Sequence, residues 1–183
     1  MDNYGQGNIK VTYSRGYRRI SVLPDGGFES YTCPDGGDAC YTDSIPSWKG
    51  SSPSGGTLDA SFFHFKDYVR SGLSVALLGS ASGSDALAGT ITPTSLLNTV
   101  PGAKYEVQFF HDSSFHAPEL SRDAHVDVIW NGETVLSLAP GWQPWTYHKV
   151  AVTAKGNDKL EFHGGTYPAI SFIDDVYVFL LSS

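Results

Sequence analysis

Short runs of alternating apolar and polar residues recur along this chain, whereas helical periodicity is almost absent. Turn-forming Gly, Pro, Asn and Asp separate runs at 19–23, 59–65, 73–79, 104–112, 124–131, 133–138, 145–154, 158–163 and 170–181. Asn131-Gly132 and Gly156-Asn157 are typical of hairpin turns, and 41–58 and 112–123 are expected to be long surface loops. The sequence predicts an all-β domain with a barrel or two stacked sheets, because a single sheet would leave one apolar face in water.

The length and charge of the chain limit its partners. At 183 residues it has room for one domain of ordinary size. Twelve Lys and Arg face 19 Asp and Glu, and the net charge of −7 disfavours nucleic acid and anionic membranes as partners. No apolar run approaches the ~18 residues of a membrane span. Residues 1–23 are relatively basic and are interpreted as an arm or extra strand, followed by a single domain at 24–183.

The only cysteines, Cys33 and Cys40, enclose six turn-forming residues, and a disulfide closes such a loop easily. Two buried thiols are the alternative. A disulfide favours an extracellular protein, although the first residues do not resemble a signal peptide. Either a leader has been removed, or the protein is cytoplasmic and made without one.

Five segments occur in an order that is typical of one kind of domain. They are GGFES at 26–30, IPSWKG at 45–50, YVRSGLSVALLG at 68–79, TVPGAKYEVQFF at 99–110 and FIDDVYVFL at 172–180. Together they resemble galactose-binding-like jelly-roll domains, above all carbohydrate-binding modules of families 4, 9 and 22 and related plant and fungal cell-wall proteins. The resemblance implies a jelly-roll β-sandwich of two antiparallel sheets that binds carbohydrate. The basic start and the cysteine loop depart from the pattern.

Asp174 is unusual because strand alternation turns it towards the predicted core. The apolar residues on the same face are Phe172, Val176 and Val178. Since an unpaired buried carboxylate is costly, we expect a structural Ca²⁺ held by Asp174, Glu29 and loop carbonyls such as that of Gly27. The resemblance implies the same cation site. The alternative is that both carboxylates accept backbone N–H bonds, and Asp175 is expected to face outwards.

Two surfaces are candidates for the sugar. The first is a sheet face made by outward-facing residues of three predicted strands: Glu106, Gln108, Phe110, Asp112, His125, Asp127, Glu161 and His163. The second lies at the loop tips, with Trp142, Trp145 and Tyr167 as rings and Asp85 as a carboxylate. Sugars need rings beside planar polar groups, and we narrowly favour the loop tips. The alternative for the first surface is an ordinary solvated sheet face. The alternative for the second is a turn packed on its own aromatic residues, above all at Trp145.

Catalysis is disfavoured by the sequence. The carboxylates of Glu106, Asp112, Asp127 and Glu161 could serve a glycoside hydrolase, but nothing marks one of them as the acid. The six histidines do not have metal-ligand spacing. We therefore expect a non-catalytic lectin or cell-wall module for neutral oligo- or polysaccharides. The alternative is a structural or interaction protein whose exposed rings and basic arm mediate homo-oligomerisation or docking.

Overall fold

The computed structural model describes residues 19–52, 59–79, 88–115, 117–165 and 168–181, which contain strands and no helix. The strands are β1 (Ala39–Thr42), β2 (Ser44–Ile45), β3 (Trp48–Ser51), β4 (Ala60–Phe65), β5 (Ser74–Gly79), β6 (Thr90–Pro93), β7 (Lys104–Asp112), β8 (Val126–Trp130), β9 (Glu133–Leu138), β10 (Thr146–Thr153), β11 (Leu160–Gly164) and β12 (Ile170–Leu180). No helix in these ranges could span a membrane.

The strands form two six-stranded antiparallel sheets. Sheet A has the order β1-β4-β5-β12-β7-β10, and sheet B has the order β2-β3-β6-β11-β8-β9. The largest buried side chains include rings from both sheets, and those of Phe109 and Phe162 meet edge to face at 5.1 Å. The predicted all-β sandwich of two antiparallel sheets is confirmed.

The first edge of the sandwich differs from the prediction. Residues 41–52 contain β2 and β3 and the end of β1, where the sequence predicts the first part of a surface loop. The reason is Trp48, which is fully buried and donates its indole N–H to the Asp25 carbonyl at 2.9 Å. Burial of this one ring fixes a short strand that local alternation does not reveal.

Two turn and strand assignments are also corrected. Residues 19–23 are not a strand, although the Val22 amide donates to the Val178 carbonyl and Leu23 is buried in the core. Asn131-Gly132 does close the β8–β9 hairpin, with φ of 54° and 82°. The turn at Gly156-Asn157 instead connects β10 in sheet A to β11 in sheet B, so it is not a hairpin.

A bulge in β12 changes the predicted alternation. The pairing of β12 with β7 shifts between Asp174 and Tyr177, and Asp175 has a φ of 51°. Ile173, Val176 and Val178 therefore reach the core, whereas Phe172 joins a separate apolar cluster with Val75 and Leu77 on the outer side of sheet A. The prediction that Phe172 and Asp174 share the core face with Val176 is therefore wrong: Asp174 pairs with the outward-facing Phe110, and its carboxylate is buried against the backbone of Arg70 and Ser71. Asp175, predicted to face outwards, is buried as well, because the outer-surface Arg70 covers its carboxylate.

Candidate functional site

The predicted three-strand sheet face is divided between the two sides of the sandwich. Strand β7 belongs to sheet A, whereas β8 and β11 belong to sheet B. Alternation correctly places Gln108 and Phe110 outside, opposite buried Val107 and Phe109. It does not specify the sheet, however, and the connection 113–125 crosses from one sheet to the other. His125, Asp127, Glu161 and His163 therefore lie on the opposite surface.

The polar residues on the outside of sheet B interact with one another. His125 Nε2 lies 2.9 Å from Asp127 Oδ1, and Lys159 Nζ lies 2.7 Å from Glu161 Oε1. His163 Nδ1 is 2.8 Å from Thr90 Oγ1 and faces Asp127 across the β8–β11 pair. This surface has no exposed large ring among the described residues, so it offers polar groups without a stacking platform.

The outer side of β7 and its neighbours combines rings with planar polar groups. We call this surface the Tyr147 patch; it comprises Arg70, Glu106, Gln108, Phe110, Tyr147, Lys149 and Tyr177. Tyr147 and Tyr177 are 44% and 39% exposed. Gln108 Nε2 donates to Glu106 Oε1, and Lys149 Nζ lies 3.4 Å from Glu106 Oε2. The patch therefore presents two accessible rings beside an amide and a carboxylate.

Arg70 reaches this surface from the β4–β5 connection, residues 66–73. Its guanidinium carbon lies 3.4 Å from the centre of the Phe110 ring, and the guanidinium pairs with the Asp175 carboxylate. The Phe110 ring is also 5.4 Å from that of Tyr147. Arg70 covers one face of Phe110, and Tyr177 stacks on Phe179 at 5.6 Å. The rings that remain exposed for stacking are those of Tyr147 and Tyr177.

Asp112, another predicted ligand, lies on the same strand but is buried. Its Oδ1 accepts hydrogen bonds from the Ser114 amide at 2.9 Å and the Ser114 hydroxyl at 3.0 Å. Glu106 and Asp112 are six positions apart in one strand, which corresponds to about 20 Å. This exceeds the ~5–9.5 Å separation of glycosidase carboxylates, so the two cannot form such a pair.

Asp174 and Glu29 both bind backbone amides of the 66–73 connection and the start of β5. Asp174 Oδ2 accepts the amides of Arg70 at 3.0 Å and Ser71 at 3.1 Å. Glu29 Oε1 accepts the amides of Leu73 at 2.9 Å and Ser74 at 3.1 Å. Burial raises the pKa of Asp174 to about 7, and the nearby Asp175 charge acts in the same direction.

These hydrogen bonds match the alternative to a calcium site, in which both carboxylates accept backbone N–H bonds. A calcium shell needs about six to eight oxygen ligands, and among the described residues no three His, Cys, Asp or Glu side chains are grouped to hold a metal ion. The contacts of Glu29 and Asp174 are satisfied by amides, which a cation would have to replace or share. The calcium site, including the Gly27 carbonyl, stays a prediction.

Two imidazoles, the buried His111 and the half-buried His148, lie on the inner side of sheet A behind the patch. His111 is fully buried, and its Nε2 is 2.9 Å from Ser171 Oγ. Its ring lies 6.0 Å from that of His148. Burial lowers the pKa of His111 to about 3, with a further contribution from His148, so His111 is uncharged at neutral pH.

The loop-tip residues are only partly described. Trp142 is 46% exposed in a turn held by Ser113, whose hydroxyl donates to the Gly141 carbonyl at 2.6 Å. Trp145 is half-buried and packs against the outer cluster that contains Phe172. Tyr167 and Asp85 lie outside the described residues. The loop-tip site therefore stays a prediction.

The sequence analysis missed four residues of the Tyr147 patch: Arg70, Tyr147, Lys149, which lies on the same face of β10 as Tyr147, and Tyr177. Alternation within 145–154 places Tyr147 opposite the partly buried Val150 and the buried Val152, so it could have been assigned outwards. Tyr177 is obscured by the β12 bulge. Nothing local connects Arg70 with Phe110, because that contact depends on how residues 66–73 fold over the sheet.

The comparisons with known proteins concern the fold. No protein-family model matches the sequence, and the search of curated proteins finds no significant match. The structure is similar to a cyclase from Fischerella sp. TAU in complex with 4-(1H-indol-3-yl)butan-2-one, with a TM-score of 0.60 and 16% identity over 90% of this chain and 98% of that chain. It is also similar to the K1 cleaved adhesin domain of Lys-gingipain from Porphyromonas gingivalis W83, with a TM-score of 0.57 and 11% identity over 80% and 100% of the two chains.

A third similar structure is the CBM22-1 xylan-binding domain of Paenibacillus barcinonensis Xyn10C. The TM-score is 0.50 and the identity is 11%, over 80% of this chain and 97% of that chain. At such identities these structures define the fold alone, since one sandwich supports many functions. The chain has the galactose-binding-like jelly-roll fold that its ordered segments predict.

Proposed function

We propose that this protein binds neutral oligo- or polysaccharides through the Tyr147 patch and does not alter them chemically. The observation that carries the proposal is the pair of accessible rings, Tyr147 and Tyr177, beside Gln108 and Glu106 on an open sheet surface. The C–H face of a pyranose packs on a ring, while its hydroxyls need planar donors and acceptors. The Tyr147 patch supplies both.

Two further observations support this choice of ligand. One structure with the same fold is a xylan-binding domain, so the fold can present a polysaccharide site. The net charge of −7 disfavours sulfated and uronic polymers, which leaves neutral sugars. We also propose an extracellular location, because the Cys33–Cys40 disulfide suits an oxidising compartment.

Affinity electrophoresis tests the proposal. Native gels containing a neutral β-glucan, xylan, galactan or mannan are compared with gels containing a sulfated polymer, at low and high salt. We expect at least one neutral polymer to retard the protein equally at both salt concentrations, with a dissociation constant of about micromolar to millimolar. Absence of retardation by every neutral polymer, together with self-association in light scattering, would favour the interaction protein instead.

A further inference from the structure

A separate pocket lies on the outer surface of sheet A, at the edge formed by β1 and β4. We call it the Tyr41 pocket. It has a volume of about 480 Å³ and is lined by Ala39, Cys40, Tyr41, Phe63, Phe65 and Tyr68. This volume is within the ~300–1,000 Å³ that is usual for small-molecule sites. The proposed sugar site uses none of these residues.

Pairing of β1 with β4 holds one side of the pocket in place. Tyr41 lies opposite Phe63 in this pair, and their rings stack at 5.4 Å with an interplanar angle of 19°. Tyr41 is nevertheless 54% exposed, so one face of this stacked pair is open. The neighbouring Cys40 is bonded to Cys33, which attaches the short β1 strand covalently to the preceding segment.

The other side is held by aromatic packing. The ring of Tyr68 lies 4.8 Å from that of Phe65. Tyr68 also stacks on the buried Phe172 at 5.5 Å and meets Phe115 edge to face at 4.9 Å. Because Tyr68 is packed on several sides, this wall of the pocket is preformed, and a ligand would lose little binding free energy to ordering of the Tyr68 side chain.

The lining specifies a different ligand from that of the Tyr147 patch. The lining contains no acidic, basic or amide side chain, and the Tyr41 and Tyr68 hydroxyls are its only side-chain hydrogen-bonding groups. The pocket is open to solvent, and a sugar in it would find few side-chain groups to orient its hydroxyls. A flat aromatic ring has no such need and gains favourable ring contacts with Tyr and Phe.

We propose that the Tyr41 pocket binds an uncharged ligand through a planar aromatic ring. Phe63 in β4 and Phe110 in β7 are separated by three interstrand spacings in sheet A, or about 14 Å. A single ring in the pocket therefore does not occupy the Tyr147 patch. The proposal does not depend on sugar binding, and either function can fail without the other.

Saturation-transfer NMR and calorimetry with p-cresol test this site. 4-Methylcyclohexanol is the matched probe, because it has the same methyl and hydroxyl groups on a saturated ring, and choline tests a cation site. We expect p-cresol to bind with a dissociation constant of about millimolar and the other two at least about tenfold more weakly. Equal binding of p-cresol and 4-methylcyclohexanol, or tighter binding of choline, would overturn the proposal.

Variants locate the binding. Tyr41→Ala is expected to weaken p-cresol binding about tenfold or more, whereas Trp142→Ala, at an exposed ring outside the pocket, should leave it unchanged. Thermal melting checks that Tyr41→Ala folds, and Tyr41→Leu removes the ring while keeping an apolar side chain. Unchanged p-cresol affinity in both Tyr41 variants would contradict the location. Polysaccharide retardation of the Tyr41 variants should equal that of the wild type.

Discussion

Arg70 forms an ion pair with Asp175 across more than one hundred residues of sequence, and the Asp175 side chain is almost completely buried. The pair fixes the 66–73 connection over the bulge of β12, while Arg70 also covers Phe110. A single long-range contact thus determines which rings of the sheet A surface remain accessible.

Arg70→Ala should destabilise the protein by about 2 kcal/mol, because it leaves a buried carboxylate without its cation. The loss is expected below that of a fully buried pair because Arg70 is 21% exposed and Ser71 Oγ still donates to Asp175 at 3.1 Å. Urea unfolding measures the change. Arg122→Ala is the control, since Arg122 is 79% exposed and should contribute less than about 1 kcal/mol. Equal losses in the two variants would contradict the structural role of the pair.

The raised pKa of Asp174 predicts a specific pH dependence of stability. With a pKa of about 7 in the folded protein and 3.8 as the ordinary value, the folded state binds more protons between these pH values. Asp174 therefore costs stability as pH rises from about 4 to about 7. His111, with its pKa lowered to about 3, acts oppositely, since its contribution is lost as pH falls from 6.5 towards 3.

Asp174→Asn isolates the carboxylate contribution in urea unfolding at a series of pH values. Relative to the wild type, the variant should gain stability steadily between pH 4 and pH 7. Asp123→Asn, at an exposed aspartate, is the control for the loss of a carboxylate. A difference between Asp174→Asn and the wild type that does not change with pH would mean that the folded-state pKa of Asp174 is ordinary.

The predicted calcium ion is tested by thermal melting in EDTA and in CaCl₂. A cation bound only by the folded state adds RT ln(1 + [L]/Kd) to its stability, so EDTA should lower the melting temperature. Glu29→Gln should remove this response, whereas Glu133→Gln at an exposed position should retain it. An identical melting temperature in EDTA and CaCl₂ would leave amide binding as the role of Glu29 and Asp174.

The Cys33–Cys40 disulfide predicts that the denatured, unreduced protein has no reactive thiol. Titration with a thiol reagent should find two thiols only after reduction. Replacing both cysteines by Ala should lower the free energy of unfolding by roughly 2–3 kcal/mol for a loop of this length. Two thiols before reduction would instead indicate a protein made in a reducing compartment.

Alternation was sufficient for most of the fold because a half-buried strand must alternate. Strands β7 and β9 occupy the predicted residues 104–112 and 133–138. The short strands β1 to β3 were not predicted, because tertiary burial of Trp48 stabilises that edge of the sandwich. The bulge at Asp174–Asp175 was not predicted either, since it requires a positive φ at a residue that is not glycine.

The site was less predictable than the fold. Alternation identified Gln108 and Phe110 as outward-facing, but it could not decide that β7 and β8 belong to different sheets. The walls of the Tyr41 pocket depend on the pairing of β1 with β4 and on the packing of Tyr68 against Phe172. Those contacts join distant segments, and no local pattern specifies them.

The most direct test of the claim that the Tyr147 patch binds the polysaccharide compares one tyrosine variant with one tryptophan variant, at two rings that are almost equally exposed. Tyr147 is 44% exposed in the patch, and Trp142 is 46% exposed at the rival loop tip. Calorimetry with the polysaccharide that retards the wild type should show that Tyr147→Ala loses about 2 kcal/mol of binding free energy and that Trp142→Ala loses almost none. A loss confined to Trp142→Ala, with Tyr147→Ala unchanged, would contradict the sheet A site.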